Sequence, residues 1–144
     1  VIISGRWDHY GKDVIDEQID GTVGFIKESG INKIILVGPS PHWTPDLPKV
    51  LYSFFKNDPR HLLPDRMWRG LDLKIRIMDK DLHEKADRLG IIYVSPFNAL
   101  CNAEGCLTRV GDKPEDLVVY DNVHFSPTGS RFFINKVFAN LPLA

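Results

Sequence analysis

The sequence predicts an α/β fold, a three-layer α/β/α arrangement built on a mostly parallel sheet, and two observations carry that expectation. Short β-branched runs at residues 1–3, 31–37, 91–94 and 117–120 alternate with longer segments of helical period. Strand-helix-strand alternation favours a parallel sheet with right-handed crossovers and helices on both faces. Polar loops follow several strand exits, at Gly5 to Tyr10, Gly38 to Trp43 and Asp121 to His124. Open parallel sheets bind their ligands at such exits, so the three loops are expected to share one edge.

Bulk properties narrow the class. With 144 residues and 43% hydrophobic content, one core and one domain are expected. The formal net charge is −1 with both signs interspersed, leaving no basic stripe to hold a phosphate backbone, so nucleic acid is excluded as a partner. No apolar run approaches the roughly 20 residues that span a bilayer, and no signal peptide opens the chain. Val1 is not an initiator and already lies in a strand pattern, so the chain reads as beginning inside a fold.

Taken in order, the first strand ends in the loop Gly5-Arg6-Trp7-Asp8-His9-Tyr10. Ile15, Ile19, Val23 and Ile26 then recur at helical spacing over 14–29, and Gly30 closes the segment. Residues 31–37 form the strongest strand, broken by Gly38-Pro39-Ser40-Pro41. Leu47, Val50, Leu51, Phe54 and Phe55 mark a short helix over 46–55. Residues 56–70, rich in proline and charge, read as an excursion over the surface whose Arg60, Arg66 and Arg69 are solvated. A second long helix is expected over 72–89, ended by Gly90, followed by a strand at 91–94.

Chemistry concentrates near the C-terminus, in Tyr120-Asp121-Asn122-Val123-His124-Phe125-Ser126-Pro127. The run 117–120 reads as a buried strand that releases Asp121 into a loop. Ser126 suits a helix N-cap and Pro127 the first helical position, so a helix carrying Phe132, Phe133, Val137 and Phe138 follows. A catalytic histidine needs one ring nitrogen oriented by a carboxylate so that the other can take a hydroxyl proton, and Asp-x-x-His supplies both from one turn. The plain alternative is a capping or packing pair. Asp58-Pro59-Arg60-His61 repeats the spacing but has no strand before it and no capped helix after it.

Cys101 and Cys106 enclose Asn102-Ala103-Glu104-Gly105, a spacing that suits a small disulfide-closed loop in an oxidising compartment; a pair of reduced cytosolic thiols is the alternative. Two cysteines make a poor zinc site. Among His9, His42, His83 and His124 no metal-ligand spacing occurs, so neither a metal nor a cofactor is expected.

With these residues in place, the chain resembles the SGNH (GDSL-like) hydrolase family, whose final block is an Asp-x-x-His before a C-terminal helix, matched by Asp121 and His124. It is similar in particular to the SGNH domain fused behind the membrane-embedded acyltransferase-3 domain in bacterial O-acyltransferases of surface polysaccharides. Three stretches carry that closer resemblance: the first strand followed by Arg6-Trp7 and an aromatic, the Leu100-Cys101 to Cys106 loop, and Tyr120-Asp121-x-x-His124-Phe125-Ser126. The similarity implies an SGNH or flavodoxin-like fold that is N-terminally incomplete, residues 1–144 being the C-terminal portion of one domain. It also implies that Gly5-Arg6-Trp7-Asp8 occupies the place of the family's third block, with Gly5, Arg6 and Trp7 on the substrate side and Trp7 where an oxyanion-binding Asn would stand. Trp7 then serves as an N–H donor, an aromatic wall or core packing.

The resemblance further implies that the nucleophilic Ser, normally in a Gly-Asp-Ser block, lies upstream. Ser4 and Ser40 are read as structural: Ser4 belongs to the third-block strand, and Pro39 beside Ser40 removes a backbone N–H. The expected activity is acyl-ester transfer or hydrolysis, O-acylation of a bacterial cell-surface glycan, with an acyl donor and a glycan acceptor as partners. A transmembrane acyltransferase region of the same polypeptide would tether the domain on the periplasmic side of the cell envelope. The competing reading is a non-catalytic carbohydrate-binding module in which Trp7, Trp43 and Trp68 stack on sugars.

Overall fold

The structure, a computed structural model, describes residues 1–138 and 141. The expected domain span of 1–144 therefore runs past them at its C-terminal end. The chain forms two compact units, Val1–Ser40 with Leu73–Phe97, and Pro41–Asp72 with Asn98–Ala144.

The first unit is the predicted mixed α/β body. Its parallel sheet has the order β1-β2-β4, from β1 (Ile2–Ile3), β2 (Ile35–Val37) and β4 (Ile92–Val94), with α1 (Lys12–Glu28) and α3 (Lys74–Leu89) as connections. Ile3, Leu36 and Tyr93 stand opposite one another in register, so they form one row on one face. That row packs with Ile15, Ile19 and Val23 of α1 and Leu82 and Ala86 of α3. The apolar spacing seen in the sequence is thus the stripe each helix buries. Lys85, 6% exposed, reaches from α3 to Asp20 at 2.6 Å and Asp16 at 3.5 Å on α1, which places its charge against two carboxylates. Gly90 ends α3 at φ 61°, a left-handed cap that only glycine adopts cheaply, and Ile91 N–H returns to Ala86 carbonyl. The expected strand 31–37 contracts to β2, because only its last three residues join the ladder.

Asp79 closes the exit end of this sheet. Its buried carboxylate accepts from Ser95 hydroxyl at 2.7 and 2.8 Å and from Tyr93 hydroxyl at 2.9 Å. Burial pushes this carboxyl up, against the Ser95 and Tyr93 hydrogen bonds.

The second unit differs from the sequence expectation in two places. Residues 56–70 are not only a surface excursion: β3 (Arg66–Met67) pairs antiparallel with β6 (Gly105–Leu107), which pairs with β5 (Cys101–Asn102). Arg66, expected to be solvated, donates to the carbonyls of Leu100 at 2.8 Å, just before β5, and of Gly105 at 3.0 Å, at the start of β6, because both lie beside β3 where it pairs with β6. Residues 117–120 do not form a ladder strand. They make single bridges, Arg109 with Leu117 and Val119 with Phe125, while Val118 and Val119 are buried. The β-branched run marks burial correctly, but its partner is the chain's own return through Phe125, too short for a ladder.

Cys101 and Cys106 are bonded across the β5-β6 hairpin as a disulfide, with Cα atoms 3.9 Å apart. Gly105 has φ 127°, and a Cβ there would lie 2.4 Å from the Met67 carbonyl carbon, so the hairpin approaches β3 only because this residue is glycine. Helix α2 (Leu47–Asn57) buries Leu47, Val50 and Leu51, and α5 (Pro127–Val137) buries Phe133. A short helix, α4 (Pro96–Leu100), carries the chain from the first unit into the second.

Candidate active site

The loop before α5 is built from both ends. Ser126 is the N-cap: its hydroxyl oxygen accepts from Gly129 N–H at 2.9 Å and its O–H is donated to Leu117 carbonyl. Ser126 N–H also reaches Val118 carbonyl at 3.0 Å, and Tyr120 N–H reaches His124 carbonyl at 3.1 Å. Residues 118–126 are therefore a tight return, with Asp121 to His124 at its tip.

Asp121 uses one carboxylate oxygen to hold the turn and the other to hold the imidazole. Oδ1 accepts from Val123 N–H at 2.8 Å and His124 N–H at 2.7 Å, while Oδ2 lies 2.7 Å from His124 Nδ1. Burial alone would raise this carboxyl, but the three donated hydrogen bonds and the His124 charge outweigh it and pull it down to about 2. The carboxylate therefore stays ionised and oriented. With Nδ1–H given to Asp121, Nε2 is the acceptor; it makes no hydrogen bond among the described residues, and the His124 side chain is 57% exposed. An imidazole held in this way can take a proton from a hydroxyl that reaches Nε2.

Two supports were invisible in the sequence. Trp43 N–H donates to Asn122 carbonyl at 2.9 Å and Leu47 N–H to Asp121 carbonyl at 3.1 Å, so the entrance of α2 holds the backbone of the loop. A main-chain hydrogen bond between distant segments leaves no side-chain pattern to read. Tyr120 also stacks on His124, with ring centroids 5.9 Å apart and planes 15° from parallel. Tyr120 stands within the sequence motif, but its contact depends on loop geometry.

The second Asp-x-x-His does not form the pair. His61 Nδ1 contacts Phe55 carbonyl at 3.0 Å, and Asp58 engages Arg60 instead.

Gly5, Arg6 and Trp7 belong to the first unit. They line a cavity of about 360 Å³ together with Tyr10, Val14, Ile15 and Gln18. Arg6, its side chain 41% exposed, pairs with Asp8 at 3.4 Å. Trp7 is only 9% exposed, packs in the α1-sheet core, and donates its indole N–H to Val37 carbonyl at 2.9 Å. Of the three roles open to it, N–H donation outward is closed and packing is observed. Trp43 is 1% exposed, so the reading in which Trp7 and Trp43 stack on a sugar loses two of its three rings to the interior. Among the described residues, no three His, Cys, Asp or Glu side chains gather to hold a metal ion.

A parallel-sheet α/β body and a carboxylate-oriented imidazole at the entrance of the last helix define an SGNH-type α/β protein. The chain belongs to the family of SGNH domains fused to AT3 domains, whose family model matches residues 1–138. It is similar to the solved periplasmic domain of the lipopolysaccharide acetyltransferase of Salmonella ser. Paratyphi A, with 31% identity and a TM-score of 0.80. The match covers 94% of this chain and 54% of that one, so the chain spans about half the length of that domain. No curated protein matches.

Proposed function

We propose that this chain supplies the acid-base half of a Ser-His-Asp relay that transfers or hydrolyses an acyl ester, as the C-terminal portion of one SGNH domain. The observation that carries the reading is the 2.7 Å contact between Asp121 Oδ2 and His124 Nδ1, which leaves Nε2 unoccupied among the described residues. A serine carried upstream of this chain attacks the acyl donor; His124 takes its proton at Nε2, and Asp121 holds the tautomer and steadies the imidazolium. His124 gives that proton to the donor's departing group as the acyl-enzyme forms; the acyl-enzyme then passes its acyl group to a hydroxyl of a cell-surface glycan, or to water, whose proton His124 takes and returns to the serine. Gly5, Arg6 and Trp7, which line a cavity in the first unit, are assigned to the substrate side, Gly5 and Arg6 as contacts and Trp7 as their buried support.

Family membership and the neighbouring acetyltransferase domain support a membrane-embedded acyltransferase region in the same polypeptide and a periplasmic site of action. The disulfide agrees with an oxidising compartment. Among the described residues no helix is long and apolar enough to cross a membrane.

A chain extended upstream to include a Gly-Asp-Ser block should label with a fluorophosphonate and hydrolyse a short-chain aryl ester, whereas residues 1–144 alone should do neither. In the extended chain His124→Ala should abolish labelling, and Asp121→Asn should slow it by the order of 10⁴ seen in serine proteases. Labelling of the short chain at Ser4 or Ser40, or an extended chain that never reacts, would overturn the reading.

A further inference from the structure

We infer that Tyr120 is a positioning residue for the His124 imidazole, acting through the stack of their rings; the inference rests on the acyl-transfer reading above. The centroid separation of 5.9 Å and the 15° angle between planes describe an offset parallel stack. Burial does not enforce it, since Tyr120 is 61% exposed and the His124 side chain 57% exposed. The backbone does: Tyr120 N–H donates to His124 carbonyl at 3.1 Å, which sets the two residues side by side on the return.

Asp121 and Tyr120 constrain different motions. The hydrogen bond from Nδ1 to Oδ2, 2.7 Å long, fixes the ring's distance and tautomer but leaves it able to tilt about that contact. A phenol ring lying nearly parallel beside the imidazole restricts the tilt toward it. Together the carboxylate and the ring define where Nε2 points. Phenylalanine offers the same face and leucine does not, so the ring rather than the hydroxyl carries the effect.

The test uses the full-length protein, including its nucleophile-bearing region, and follows fluorophosphonate labelling with no glycan present. Tyr120→Leu and Tyr120→Gln should each slow labelling at saturating probe about tenfold, in keeping with the sensitivity of such reactions to small misplacements. The half-saturating probe concentration and the melting temperature should stay unchanged, and Tyr120→Phe should restore the rate to within about twofold of the original. Leu and Gln variants as fast as the original protein would overturn the inference. So would a change confined to half-saturation, which would make the ring a substrate contact, or a Phe variant as slow as Leu. His124→Ala separates the two levels: if it abolishes labelling while Tyr120→Leu is fast, only the stack falls, whereas if it labels normally the acyl-transfer reading falls too.

Discussion

The amide of Leu47, first residue of α2, donates to the carbonyl of Asp121 at 3.1 Å, so the residue whose side chain orients His124 has its main chain tied to another helix. Side-chain and main-chain anchors then act on one residue. Leu47 is fully buried, and its α2 neighbour Val50 nearly so, which makes the anchor part of the core rather than of a solvated loop. The position of the imidazole is thereby coupled to the packing of the second unit.

Acid sensitivity follows from Asp121. Its folded pKa of about 2 lies below the ordinary value of 3.8, so its contribution to stability is present above about 3.8 and is lost as pH falls through about 2. Asp121→Asn should therefore be less stable than the original chain at neutral pH, and the gap should narrow below pH ~3. Urea denaturation followed at a series of pH values measures both; a gap that does not change with pH would contradict the assignment.

Gly129 is a steric requirement of the site. A Cβ there would lie 2.0 Å from Val118 carbonyl oxygen, an atom of the main chain that cannot rotate away. Gly129→Ala should cost about 3 kcal/mol, at the upper end of overpacking. Because Val118 also accepts from Ser126 N–H, the loop should shift with the helix. Chemical denaturation gives the first quantity, and loss of the Ser126 cap would appear as faster amide exchange at position 129 in the variant than in the original chain.

Trp7 is expected to act through the core. Trp7→Phe leaves Val37 carbonyl without its indole donor and should cost about 1–3 kcal/mol. Trp7→Ala should cost about 3–5 kcal/mol by opening a cavity among Ile15, Ile19 and Leu36. Stability and activity measured together decide the matter: a Trp7→Phe protein with unchanged melting and lost activity would place the ring on substrate instead.

The Cys101–Cys106 bridge closes a small ring, worth about 2 kcal/mol in the chain-entropy description. The double Ser variant should be destabilised by about that amount and remain folded, since β5, β6 and β3 stay paired through main-chain bonds. Alkylation before and after reduction, read by intact mass, should show no accessible thiol in the unreduced protein and two after reduction.

Much of the α/β body was legible in the sequence because its signals are local. The period of Ile15, Ile19 and Val23, the stop at Gly90, the cap at Ser126 and the pairing of Asp121 with His124 all act within a turn or two of chain, where spacing dictates geometry. The tertiary structure alone decided what depends on distant segments meeting. It turned part of the 56–70 excursion into a strand against the cysteine hairpin and set Arg66 on two carbonyls. It reduced the 117–120 run to single bridges, turned the Trp7 indole inward to Val37 and joined Leu47 to Asp121. Backbone amides and carbonyls are common to almost every residue, so which of them pair across the chain is settled by packing and leaves no mark in composition or spacing.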